Sequence, residues 1–159
     1  MTLRILAFAA AYRRVAYVLL IDRELKDWRI SEKAAGSPVE AAAFAQKWIN
    51  ELKPNVVVTE RPGAARKKSE GTRVLIAAIA QTAEHNYLLD IEVPRAHRFR
   101  SKYEEAVALV ERYPEIAGWL PKKRRFFDNE PRSTVLFEAL ALADEVQSGP
   151  TFTAAAALG

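Results

Sequence analysis

Residues 4–21 form two apolar runs on either side of a short basic segment. Each run is too short for a membrane-spanning helix, and both are rich in strand-forming residues. We therefore predict a buried β-hairpin whose strands run from Leu3 to Ala9 and from Val15 to Ile21, with a turn over residues 10–14. The next segment, ELKDWRI at residues 24–30, is more polar, which is typical of a strand at the edge of a sheet.

The rest of the chain alternates between helical and strand-like patterns. Ser37, Pro38 and Glu40 have the order of a helix start, and apolar residues then recur at helical spacing until Pro54. The run NVVVTE at residues 55–60 predicts a central strand that is covered on both faces. The later patterns predict a helix over residues 69–85, a strand over 88–93, a helix over 102–113 and a closing helix over 131–146.

Length and composition indicate one domain. The chain has 159 residues, half of them apolar, which is enough for one hydrophobic core. We assign this domain to residues 1–146 and regard residues 147–159, which lack a core pattern, as a C-terminal tail. The absence of cysteine excludes disulfides and thiolate metal sites. The N-terminus runs directly into a strand without a signal-type cleavage region, which favours a cytoplasmic protein.

Positive charge is concentrated in three stretches, residues 61–73, 95–102 and 122–125. They carry thirteen basic side chains and one acidic one, so the rest of the chain is net negative although the whole carries +4. Such a distribution favours a polyanion-binding face, whereas the alternative is that basic residues in loops serve only solubility. Together with the hairpin turn, the candidate nucleic-acid-binding residues are Arg13, Arg14, Arg61, Arg66, Lys67, Lys68, Arg95, Arg98, Arg100, Lys122, Lys123, Arg124 and Arg125.

The predicted elements give a mixed-sheet α/β fold, and short motifs in it resemble one protein family. The element order is similar to that of the RNase H-like superfamily, and the motifs resemble the RuvC Holliday-junction resolvases within it. The resemblance implies a five-stranded mixed sheet, with three antiparallel strands followed by two parallel ones, flanked by helices. The motifs are Ala9-Ala10-Ala11-Tyr12-Arg13 and Ala16-Tyr17 in the hairpin, Glu60 at the end of the fourth strand, and Glu138-Ala139-Leu140-Ala141 in the last helix.

The resemblance also implies two-metal phosphodiester hydrolysis with Mg²⁺ or Mn²⁺, which needs carboxylates converging from several elements. Glu60 and Glu138 match two of the family's metal-binding catalytic acids. Ala9 stands where the family has its central aspartate, and Val135 stands where a second acid precedes Glu138 by one turn. Two of four implied ligands are therefore missing, and we expect cleavage to be weak or absent. Substitutes nearby in the sequence are Asp128, Glu130 and Asp144.

Without the family resemblance, the sequence does not decide whether these two glutamates are metal ligands. Glu138 lies in an otherwise apolar helical segment, where a buried carboxylate needs a cation or a partner. A helix face that reaches solvent would remove that need. Glu60 fits equally well a solvent-exposed residue at the start of a loop.

Three possible functions follow. The resemblance implies a structure-selective DNA endonuclease of the Holliday-junction resolvase type, acting as a homodimer, whose incomplete centre leaves it weak or inactive. The alternative is a non-catalytic nucleic-acid- or partner-binding module that retained the fold. A third possibility is a protein whose basic loops bind acidic protein surfaces. Aromatic residues among the charges either stack on unpaired bases or anchor loops to the core: Phe99, Phe126 and Phe127.

Overall fold

The computed structural model describes residues 2–61, 68–93, 99, 101–121 and 131–148. Its sheet has the order β3-β2-β1-β4-β5, with β1 antiparallel to β2 and β2 antiparallel to β3, while β4 runs parallel to β1 and β5 parallel to β4. The predicted fold class is thus confirmed, including the polar third strand at the sheet edge. The elements are β1 Arg4–Ala11, β2 Arg14–Ile21, β3 Glu24–Ser31, α1 Pro38–Leu52, β4 Val56–Glu60, α2 Glu70–His85, β5 Leu89–Val93, α3 Lys102–Arg112 and α4 Thr134–Ser148, with short 3₁₀ turns at Lys33–Ala35 and Pro114–Trp119.

Helices cover both faces of this sheet. Alternate side chains of β1 enter two separate cores: Ile5, Ala7 and Ala9 lie in the core that α3 and α4 cover, and Leu6 and Phe8 in the core that α1 and α2 cover. Burial on both faces is the reason that β1, β2 and β4 read as continuous apolar runs instead of alternating ones. None of the helices in the described ranges is long and apolar enough to cross a membrane.

Serine residues fix where three of the helices begin. The hydroxyl oxygens of Ser37, Ser69 and Ser101 each accept a hydrogen bond from the backbone N–H three residues later, at the starts of α1, α2 and α3. Each cap satisfies one of the otherwise unpaired N–H groups of a first helical turn. These caps matter for the site because residues 68 and 102, directly beside two of them, are lysines.

Several element boundaries differ from the predictions by one or more residues. The hairpin strands extend further than predicted, which shortens the turn to Tyr12 and Arg13, and Arg13 adopts the left-handed φ of 62° that a tight hairpin turn requires. The strand predicted over residues 88–93 begins at Leu89. The closing helix begins at Thr134 and continues to Ser148, and Val146 and Gln147 in its last turn are buried.

Tyr17 of β2 anchors the core beneath α1. Its ring is fully buried and lies within 7 Å of the rings of Phe8, Phe44 and Trp48, with centroid separations of 6.3, 5.9 and 5.1 Å. Its hydroxyl donates a hydrogen bond of 2.6 Å to the carboxylate of Asp27 on the edge strand. The buried phenol of Tyr17 therefore connects the edge strand β3 to the interior of the sheet through this hydrogen bond.

Candidate functional site

The parallel pairing of β1 with β4 sets the positions of Ala9 and Glu60. Ala7 is the register partner of Val58, and both side chains enter the core beneath α4. Two residues further along each strand the side chains return to that face, so Ala9 and Glu60 share it. Ala9 is 3% exposed and Glu60 is 4% exposed. The alternative that Glu60 is a solvent-exposed loop residue is therefore wrong.

Glu138 faces the same end of the sheet from α4. The residue is 2% exposed, so the alternative of a solvent-facing position is also wrong. Lys68 connects the two glutamates: its Nζ lies 2.8 Å from Oε2 of Glu138 and 3.7 Å from Oε2 of Glu60. The same Nζ donates a hydrogen bond of 2.5 Å to the carbonyl oxygen of Ala10. One ammonium group thus joins the end of β1, the end of β4 and the second turn of α4.

A second lysine reaches the pocket from α3. The Nζ of Lys102 lies 2.8 Å from Oε1 of Glu138, so each oxygen of this carboxylate has an ammonium partner. The two lysines differ in burial, since the side chain of Lys68 is 18% exposed and that of Lys102 is 52% exposed. We call Glu60, Glu138, Lys68 and Lys102 the acidic pocket. Together these four groups carry no net charge.

The carboxylate of Glu60 is the less well paired of the two. Its Oε2 is buried, and it has no hydrogen-bond partner within the part of the chain that the structure describes. The ammonium of Lys68, at 3.7 Å, is close enough for a strong electrostatic contact but too far for a hydrogen bond. Within the described residues this oxygen therefore depends on its electrostatic contact with Lys68.

The residues present do not fit the two-metal centre that the resemblance implies. Ala9 of β1 and Val135 of α4, both buried in the core between the sheet and α4, offer no side-chain oxygen. Two Mg²⁺ ions side by side need carboxylates from several elements, whereas the described residues offer two carboxylates here, both already ion-paired with lysine. Among the described residues no group of three or more His, Cys, Asp or Glu side chains is placed to hold a metal ion.

Asp144 does not replace a missing ligand. Its two oxygens are engaged elsewhere, one with the guanidinium of Arg112 at 2.6 Å and the other with the hydroxyl of Tyr113 at 2.8 Å. These contacts fasten α4 to the end of α3. Asp128 and Glu130, the other two acids named as substitutes, lie outside the described residues.

Three of the predicted nucleic-acid-binding residues surround the pocket end of the sheet. Arg13 lies in the hairpin turn, Arg14 begins β2 directly after it, and the exposed Arg61 directly follows Glu60. Lys68, predicted in the same group, has its ammonium on the two carboxylates. Phe99 is 44% exposed. The remaining predicted residues lie outside the described ranges: Arg66, Lys67, Arg95, Arg98, Arg100, Lys122, Lys123, Arg124, Arg125, Phe126 and Phe127.

Sequence reasoning missed the ion pairs of the pocket. The isolated glutamate in an apolar helix indicated that Glu138 needs a partner, but no spacing in the sequence indicated which one. Lys68 and Lys102 stand in basic stretches in which any lysine would be assigned to the surface. Only the start positions of α2 and α3 bring these two to the same carboxylate.

The sheet order and the flanking helices define a RuvC-like, RNase H-like fold. The chain is similar to Thermus thermophilus RuvC in complex with a Holliday junction substrate, with a TM-score of 0.59 and 11% identity over 93% of this chain and 97% of that one. It is also similar to a second Thermus thermophilus RuvC structure, with a TM-score of 0.52 and 11% identity over 94% of this chain and 98% of that one. No protein-family model and no curated protein matches the sequence. At this identity the likeness establishes the fold.

Proposed function

We propose that this chain binds branched or duplex DNA at the end of the sheet that holds the acidic pocket, and that it does not cut DNA by a two-metal reaction. The observation that carries this proposal is the composition of the pocket. Among the described residues its two carboxylates are buried and ion-paired with Lys68 and Lys102, while Ala9 and Val135 occupy the positions of the other implied ligands.

Two observations support the DNA-binding part of the proposal. The fold is that of a protein whose structure is known with a Holliday junction substrate. In addition, Arg13, Arg14 and Arg61 are grouped at the pocket end of the sheet. Arginine contacts to phosphates release counterions and give affinity that needs neither a metal nor a particular base sequence. A homodimer, which the resemblance implies, would present two such surfaces to a branched substrate.

The second candidate is a weak Mg²⁺-dependent endonuclease. It is favoured by one observation, the convergence of Glu60 and Glu138 on a single cation. Under this alternative, Mg²⁺ would displace Lys68 when substrate binds. The first candidate binds DNA without a divalent cation, whereas the second cuts DNA only with Mg²⁺, so adding or removing Mg²⁺ distinguishes them.

The first experiment compares two arginines in matched positions. Arg13 and Arg23 occupy the two hairpin turns at opposite ends of β2, and both have left-handed φ values, 62° and 71°. We expect Arg13→Gln to weaken binding to a four-way junction and to lower the slope of log affinity against log salt by about 1, as for one lost phosphate contact. Arg23→Gln, which lies far from the pocket, should leave both quantities unchanged.

The second experiment separates binding from cleavage. The unmodified chain should bind a labelled four-way junction equally well in EDTA and in Mg²⁺, and should release no cut strands in either. Cleavage by the unmodified chain that requires Mg²⁺ and disappears in Glu60→Gln would establish the endonuclease instead. Cleavage that appears only in Ala9→Asp would identify a nuclease disabled at one position. If neither junction nor duplex DNA binds at moderate salt, the whole proposal fails.

A further inference from the structure

The ammonium group of Lys68 lies at the point where three elements meet. It contacts the Ala10 carbonyl at 2.5 Å, the Glu138 carboxylate at 2.8 Å and the Glu60 carboxylate at 3.7 Å. We infer that Lys68 is the permanent cation of the acidic pocket and takes the place that a divalent metal ion would otherwise hold. This inference goes beyond DNA binding, because it concerns the ion that the folded chain itself requires.

The charges of the pocket support it. Glu60 and Glu138 are almost fully buried, and a buried carboxylate is strongly unfavourable without a cation. Lys68 and Lys102 supply two positive charges for these two negative ones. A divalent cation added to the four groups would leave a net charge of +2 in a region with little access to water. Metal binding therefore requires Lys68 to leave.

The geometry makes that departure costly. Lys68 directly precedes Ser69, whose hydroxyl accepts the N–H of Thr72 and so fixes the first turn of α2. Its ammonium has three N–H donors, of which one is bonded to Ala10 and one to Glu138. If Lys68 left, the Ala10 carbonyl and one oxygen of each glutamate would lose their cation at the same time.

The direct test measures Mn²⁺ binding by electron paramagnetic resonance. In Lys68→Met a side chain of similar length without charge leaves Glu60 and Glu138 facing a vacant position. We expect this variant to bind one Mn²⁺ at least about tenfold more tightly than the unmodified chain, because a unit charge within 4 Å of the site is removed. Mn²⁺ should also raise the melting temperature of the variant and not that of the unmodified chain.

The matched control is Lys26→Met. Lys26 is ion-paired with Glu24 on the exposed edge strand, where the side chains are 49% and 64% exposed. This substitution removes the same charge from the same residue type far from the pocket. It should leave Mn²⁺ binding and its thermal effect as they are in the unmodified chain.

Two results would overturn the inference. One is a specific Mn²⁺ site in the unmodified chain, with an affinity equal to that of the variant. The other is a folded Lys68→Met variant that binds Mn²⁺ no better than the unmodified chain. If the variant does not fold, NMR of the unmodified chain decides: selective broadening by Mn²⁺ of the amide signals of Ala10, Glu60 and Glu138 would contradict the inference, and unaltered signals would support it. None of these measurements uses DNA, so their failure is distinguishable from failure of the DNA-binding proposal.

Discussion

Two lysines contact the same carboxylate at the same distance, which allows the effect of burial to be isolated. The Nζ atoms of Lys68 and Lys102 each lie 2.8 Å from an oxygen of Glu138. The bare Coulomb attraction of the two pairs is therefore about equal, of the order of 6 kcal/mol at an effective dielectric constant of 20. Their environments differ, because the Lys68 side chain is 18% exposed and the Lys102 side chain is 52% exposed.

The difference in exposure predicts different coupling free energies. Breaking a buried ion pair by removing one partner costs about 3–5 kcal/mol, while exposed pairs typically contribute about 0.2–1 kcal/mol. When Glu138 is neutralised, Lys68 still contacts Glu60 and the Ala10 carbonyl, which reduces the cost of losing the Lys68–Glu138 pair. We expect a coupling of about 2 kcal/mol between Lys68 and Glu138, and less than about 1 kcal/mol between Lys102 and Glu138.

Two double-mutant cycles measure these quantities. One combines Lys68→Met with Glu138→Gln, and the other combines Lys102→Met with Glu138→Gln; glutamine retains the shape and the hydrogen-bonding capacity of the side chain. Urea unfolding followed by tryptophan fluorescence gives the free energy of unfolding of each variant. Raising the salt concentration should reduce the Lys102 coupling more than the Lys68 coupling. Equal couplings, or a Lys68 coupling below about 0.5 kcal/mol, would refute the view that Lys68 is the buried cation of the pocket.

Two further predictions concern side chains away from the pocket. Burial raises the pKa of Asp90 to about 6, although the hydroxyl of Thr59 partly offsets this by donating to its carboxylate. The folded state holds this proton more tightly than the unfolded state, so the free energy of unfolding should fall as the pH rises from about 4 to about 6. In urea titrations at several pH values, Asp90→Asn should remove that fall. An unchanged pH profile in this variant would contradict the prediction. Tyr17→Phe deletes the partly buried hydrogen bond to Asp27 and should lower the free energy of unfolding by about 1–2 kcal/mol. The exposed Tyr12→Phe is its control, and equal effects would show that the Asp27 bond contributes nothing.

The parts of the fold that could be predicted from sequence are those in which burial dictates composition. The hairpin and β4 are covered on both faces, so their apolar runs are continuous, and β3 is polar because it lies at the sheet edge. The meeting of Glu60 with Glu138 was predictable only through a family resemblance, because no local pattern relates residues so far apart in the chain. Lys68 was not predictable as their partner, since its position depends on where α2 begins in relation to α4.

The same charge argument connects the missing acids with the lysines. A pocket with all four implied carboxylates would carry four negative charges, which two divalent ions would balance. With Ala9 and Val135 in place of two acids, two negative charges remain in the described part of the pocket, and two ammonium groups balance them. A single divalent ion would balance the same two charges, but it would have to displace Lys68 from both carboxylates and complete its coordination shell with water. The apolar Ala9 and Val135 are therefore consistent with the lysines that pair with the two glutamates. In this arrangement the buried glutamates hold β4 and α4 together without a metal ion.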